Sequence, residues 1–124
     1  QMTCQELITA TTENIPIKIV VFNNGNHGMV RQWQKIFYNS KFSASELGHV
    51  VPDYVKLAES MGAVGLRMIK KSEVKNVFSE MLKINDRPVL IDCVVDPEDM
   101  VFPMVPAGGS NDQIILNEED LKNL

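Results

Sequence analysis

The chain has 124 residues, of which 44% are apolar and 23% charged, and its formal net charge is −4. That length suits one domain with a sizeable core, and the charge balance excludes a disordered polyelectrolyte. It also argues against a nucleic-acid binder, because phosphate contacts need clustered Lys and Arg and the nearest cluster is Lys70-Lys71.

Gln5 to Thr12 reads as a helix, with Thr3 as N-cap and Leu7, Ile8 and Thr11 on one face. Asn14 and Pro16 end it. Ile17 to Phe22 is a short β-branched apolar run and predicts a buried strand. Asn23-Asn24-Gly25-Asn26-His27-Gly28 follows as a loop, rich in residues that tolerate positive φ. Met29 to Tyr38 predicts a helix, with Met29, Trp33 and Ile36/Phe37 at helical spacing. A polar connector, Asn39 to Val51, leads to a helix opened by Pro52-Asp53 and running through Met61, with Gly62 closing it.

Val64 to Ile69 predicts a second strand. Ser72 is the expected N-cap of a further helix whose apolar face carries Val74, Val77, Phe78, Met81 and Leu82. Pro88 to Val95 predicts another buried strand, ended by Asp96-Pro97. The tail from Glu98 to Leu124 is irregular until a short polar helix, Asn117 to Lys122. Helices alternating with apolar strands predict an α/β fold, an open parallel sheet flanked by helices.

Cys4 and Cys93 are the only cysteines and lie far apart, which fits neither a disulfide framework nor a zinc site. Cys93, inside an apolar run, reads as a buried thiol. No stretch approaches the roughly 20 apolar residues of a membrane span, and no basic-then-apolar leader opens the chain. A soluble compartment, cytoplasmic or organellar, is the expectation.

Ligands of open α/β sheets lie beyond the carboxyl ends of the strands, which makes Asn23 to Met29 the leading site. An Asn side-chain oxygen and a loop carbonyl suit a hard cation such as Mg²⁺, which shares its shell with phosphates. The same residues also make an ordinary Asn/Gly turn. Trp33 shares a helix face with Met29, and by periodicity alone it reads as a core tryptophan. His27 and His49 have no Ser or Cys nucleophile arranged with them and read as loop residues. Asp92, Asp96 and Glu118-Glu119-Asp120 read as strand-end and solvated-face residues rather than acid/base pairs. No catalytic residue is assigned. Pro103 to Ser110 reads as a fixed, irregular segment.

Asn23-Asn24, after an apolar strand and before Gly28-Met29-Val30-Arg31-Gln32-Trp33-Gln34, resembles the end of the thiamine-diphosphate motif, which runs from Gly-Asp-Gly to Asn-Asn. Only 22 residues precede Asn23, so the Gly-Asp-Gly half is expected upstream of Gln1, and the chain looks cut from something longer. Residues 1 to 124 would then be the C-terminal part of a thiamine-diphosphate-binding domain. Within that class the Met29 to Trp33 run, Pro52-Asp53-Tyr54-Val55-Lys56-Leu57-Ala58-Glu59 and Pro103-Met104-Val105-Pro106-Ala107-Gly108-Gly109 resemble the large catalytic subunit of acetolactate synthases.

The resemblance implies roles for individual residues. Asn24 would ligate Mg²⁺ through its side chain and Asn26 through its backbone carbonyl. Met2, His27, Gly28 and Met29 would contact the cofactor, and Val30, Trp33, Ala107 and Gly108 would line the substrate channel. It implies condensation of pyruvate with pyruvate or 2-ketobutyrate, with loss of CO₂, on the route to branched-chain amino acids. It implies FAD on another domain, a dimeric or tetrameric parent and a possible regulatory small subunit. The segment alone is expected to be inactive. Another 2-keto-acid enzyme (catabolic acetolactate synthase, pyruvate oxidase, glyoxylate carboligase) and a degenerate, non-catalytic α/β module remain as alternatives.

Overall fold

A computed structural model describes residues 2 to 123, apart from the side chains at 49, 122 and 123. The described residues form two compact units. The first comprises residues up to Asn24 together with Val50–Asp96, and the second Gly25–His49 together with the residues from Pro97 onward.

The first unit is a three-layer α/β arrangement. Its helices are α1 (Glu6–Thr12), α3 (Tyr54–Ser60) and α4 (Val74–Lys83), and its strands are β1 (Lys18–Asn23), β2 (Val64–Met68) and β3 (Val89–Val94). The remaining helix, α2 (Gly28–Phe37), belongs to the second unit. The sheet order is β1-β3-β2 and both pairings are parallel, with Val20 and Leu66 each opposite Ile91. Alternation along β3 sends Val89, Ile91 and Cys93 to one face, where they pack with Met68, Met81, Val77 and Phe78. Leu90 goes to the other, with Leu7, Ala58, Ala63, Ile19 and Val21. The sheet is thus covered on both faces, as the alternation of elements predicts.

The three strands differ in burial. β3 is buried from Val89 to Cys93, as its unbroken apolar run predicts. β1 is only half-buried and Phe22 is 74% exposed. Both runs are equally apolar in sequence, but β1 lies at the margin of the described sheet and β3 at its centre.

Local entries and exits follow backbone chemistry, with two corrections. Thr3 does not cap α1 with its hydroxyl; its carbonyl accepts from the Glu6 amide, and Gln5 is the N-cap residue. The face α1 buries carries Leu7 and Ala10, while Ile8 is half exposed. At α4, Glu73 rather than Ser72 ties the entrance, its carboxylate accepting from the amides of Ile69 and Lys70 at 2.9 Å each. Those two bonds hold the Glu73 carboxyl below its ordinary pKa. Val74 and Leu82 face solvent, so the core stripe of α4 narrows to Val77, Phe78 and Met81. α3 is bounded as its sequence predicts: the Asp53 side chain accepts from Val55 and Lys56 as N-cap, and Gly62, at φ +77°, turns the chain out of the helix.

The second unit is built around α2. An antiparallel bridge joins Asn26 and Glu46, and another joins Met104 and Ile115. A turn closed by Gly109 N–H on the Pro106 carbonyl at 2.9 Å carries Gly108 at φ +78°. The expected terminal helix is a 3₁₀ helix, Glu118–Asn123, entered through an Asn117 carboxamide that accepts from Glu119 and Asp120.

Candidate functional site

Asn23 is the last residue of β1 and Asn24 the first beyond it. The Asn23 main-chain carbonyl accepts from Val95 N–H at 3.0 Å, and its side-chain amide donates to Asp92 Oδ1, also at 3.0 Å. Asp92 is only 2% exposed, so it is neither a strand-end nor a solvated-face residue. Its other oxygen accepts from Arg67 Nε at 3.1 Å, and Arg67 Nη2 reaches Asp53 Oδ1 at 2.6 Å. The Arg67 guanidinium is held above its ordinary pKa, first by Asp92. Asp53 is held below its own, first by the Lys56 amide and then by Arg67. A polar chain from Asn23 through Asp92 and Arg67 to Asp53 therefore crosses the sheet from the end of β1 to the start of α3. Sequence reading missed it because Asp92 lies inside an apolar run; a carboxylate in a buried strand was the available signal.

Gly25 to Gly28 open the second unit. His27 N–H donates to the Ser45 carbonyl at 2.8 Å and Leu47 N–H to that of Gly25 at 3.1 Å. These bonds flank the Asn26–Glu46 pair, so the N–H and carbonyl of Asn26 are directed away from the Ser45–Leu47 segment. His27 is exposed, occupies the N-cap position of α2 and makes no side-chain cap bond there. Gly28 is the first residue of the helix.

α2 turns a different face inward from the one its apolar spacing predicts. Its buried residues are Arg31 and Gln32. Arg31 bonds Glu46 at 3.2 Å, the Pro97 carbonyl at 3.2 Å and Glu98, and its guanidinium lies 4.4 Å from the centre of the Phe42 ring. Gln32 holds Val101 from both sides, accepting its N–H at 2.8 Å and donating to its carbonyl at 3.0 Å. Met29 and Val30 are left half exposed, and Trp33, tilted against Phe37 at 4.9 Å between ring centres, is only partly buried.

These four side chains, with Tyr38 and Lys41 among others, line a groove of about 760 Å³. Trp33 is therefore not a core tryptophan. Apolar and aromatic side chains with a few polar groups, here Gln34, Lys41 and Ser43, are the lining that small-molecule sites use. Ala107 and Gly108 are exposed residues of the Pro106–Gly109 turn and are not among those lining it. Met2 is 94% exposed in the turn before α1.

Asn24 and Asn26, which the resemblance implies as Mg²⁺ ligands, carry only neutral oxygens. Among the described residues no cluster of three His, Cys, Asp or Glu could hold a metal. A cation held here by the chain would take few protein oxygens and complete its shell elsewhere, which suits Mg²⁺ with a diphosphate and not a structural zinc.

The chain belongs to the thiamine pyrophosphate enzymes: the family "Thiamine pyrophosphate enzyme, C-terminal TPP binding domain" matches residues 1–93. Among curated relatives, it is 52% identical over 117 residues to an acetolactate synthase of Mycobacterium avium, covering 92% of this chain and 19% of that one. It is 50% identical to the acetolactate synthase large subunit of Corynebacterium glutamicum over the same shares. It is 38% identical to that of Haemophilus influenzae, over 95% of this chain and 20% of the other. The chain thus spans about a fifth of the length of these relatives. Among solved structures, the thiamine diphosphate-dependent 4-hydroxybenzoylformate decarboxylase of Rhodococcus jostii RHA1 superposes with a TM-score of 0.68 at 26% identity, over 78% of this chain and 18% of that one.

Proposed function

We propose that residues 1 to 124 are the C-terminal part of the diphosphate-binding domain of an acetolactate synthase catalytic subunit. The observation that carries this reading is the 50–52% identity to acetolactate synthases over 92% of the chain. The reaction would condense pyruvate with pyruvate or 2-ketobutyrate, with release of CO₂, and would feed branched-chain amino acid synthesis. The protein would act as a homo-oligomer in the cytoplasm or an organelle, with FAD held outside this segment.

Thiamine diphosphate, when bound, supplies the carbon nucleophile that 2-keto-acid chemistry requires. Asn24 would ligate Mg²⁺ through its amide oxygen and Asn26 through its carbonyl. Neither adds charge, so the cation's charge stays available to the diphosphate. Met2, His27, Gly28 and Met29 would contact the cofactor. Val30 and Trp33 would form the apolar wall of the substrate channel, excluding water from the reacting carbons, and Ala107 and Gly108 would border it. The exposed apolar face of α2 supports the placement of Met29, Val30 and Trp33, since its burial is given up in favour of Arg31 and Gln32.

The test is acetolactate formed from pyruvate by the intact protein, with Mg²⁺, thiamine diphosphate and FAD each removed and restored. Dependence on all three with acetolactate as product supports the proposal. Activity without FAD moves the protein to the catabolic type. Pyruvate consumed without acetolactate favours simple decarboxylation, the reaction class of the Rhodococcus jostii structural neighbour.

A further inference from the structure

A buried carboxylate in the central strand of a sheet is a costly residue, and Leu90, Ile91 and Cys93 beside Asp92 show what that strand otherwise accepts. Asp92 meets that cost with two partners, Arg67 and Asn23. Arg67 alone would satisfy one oxygen; the other is directed to the carboxamide of the residue immediately before Asn24. A carboxylate only accepts, so the nitrogen of the Asn23 amide must face it, and the orientation of that amide is fixed. With the Val95 N–H on the Asn23 carbonyl, β3 and the residue that follows it hold both the side chain and the main chain of Asn23.

We propose that Asp92 is a positioning residue for cofactor binding: through Asn23 it fixes the direction in which the chain leaves β1, and so the place of the Asn24 amide oxygen. This rests on the reading of Asn24 as a Mg²⁺ ligand. Arg67, braced by Asp53 at the N-cap of α3, holds the Asp92 carboxylate in turn.

The experiment uses the intact protein and follows thiamine diphosphate binding by intrinsic fluorescence during Mg²⁺ titration, without turnover. Asn23→Ala is expected to raise the apparent Mg²⁺ constant roughly 10-fold or more, the usual effect of removing a group that orients a metal ligand. Asn23→Asp, which sets a carboxylate against Asp92, is expected to raise it further. Asp92→Leu should match Asn23→Ala, and the double variant should be no worse than either single, since both break one link.

Val89→Ala, which loosens the opposite face of β3 without touching the network, should leave the constant within about 2-fold. If Asp92→Leu does not fold, the two Asn23 variants and Val89→Ala still decide the matter. An unchanged constant in both Asn23 variants overturns the proposal, as does an equal shift in Val89→Ala. Asn24→Ala separates the two readings. If it abolishes Mg²⁺-dependent binding while the Asn23 variants do nothing, only the positioning role fails. If it has no effect, the metal site and the positioning role fall together.

Discussion

Gly65 in β2 packs directly beneath Val55 of α3, and Gly65→Ala tests that packing. A Cβ built there lies 2.6 Å from the Val55 carbonyl oxygen, 2.8 Å from Val55 Cα and 2.9 Å from its Cγ1. The tightest of these is roughly 0.8 Å inside ordinary contact. Two of the three atoms are backbone, so no rotamer change relieves the clash and α3 must move as a body. Overpacking of this kind costs about 1–3 kcal/mol, which corresponds to roughly 5- to 150-fold in a local opening equilibrium.

Hydrogen exchange of the intact protein, read by mass spectrometry, should show that acceleration in peptides covering Tyr54–Ser60 and Val64–Met68. Peptides from α4, on the other face of the sheet, should change much less. Gly25→Ala is the control: its added Cβ meets nothing within 4 Å and adds only the strain of φ +68°. Unchanged protection of α3 in Gly65→Ala would refute the close-approach reasoning.

Asp53 is held below its ordinary pKa, so its contribution to stability is complete at neutral pH and is lost as pH falls through the folded-state value. Thermal melts of Asp53→Asn should accordingly show a smaller drop than the wild type does as pH falls from about 5 to about 2, the range in which a depressed carboxylate is protonated. Burial, and next Asp92, push the Cys93 thiol above its ordinary pKa. In the native protein an aromatic disulfide reagent should leave Cys93 unmodified at neutral pH and label it only in denaturant; rapid native labelling would contradict the burial. Gln32→Leu removes both bonds to Val101 and should speed amide exchange across Val101 to Met104 by about 10-fold, leaving β3 unaffected.

The sheet and its helices were legible because burial here follows period. The β3 run is apolar because both its faces are covered, and Asp53, Gly62 and Asn14 mark helix ends through capping and positive φ. The orientation of α2 was not legible. Met29, Trp33 and Phe37 have the spacing of a core stripe, and only the partners of Arg31, contributed by Glu46 and, far along the chain, by Pro97 and Glu98, reveal that the polar face is the inner one. The Asn23-Asn24 pair could be picked out as a candidate by its place after a strand. What fastens Asn23 could not, because Asp92 is 69 residues away and looks like an accident in a hydrophobic segment.

The hydrogen bond from Val95 to Asn23 has a consequence for folding order. It brings the two points where the chain leaves the sheet, after Asn23 and after Val95, onto adjacent strands. The second unit is assembled from stretches separated by residues 50 to 96. Joining them in an unfolded chain would mean closing that long loop, an entropic penalty that grows as the logarithm of loop length. Once β1 and β3 are paired, the loop is already closed and the two stretches start out as neighbours. The parallel pairing should therefore precede the docking of Gln32 on Val101, and pulse-labelled amides of β1 and β3 should become protected before that of Val101.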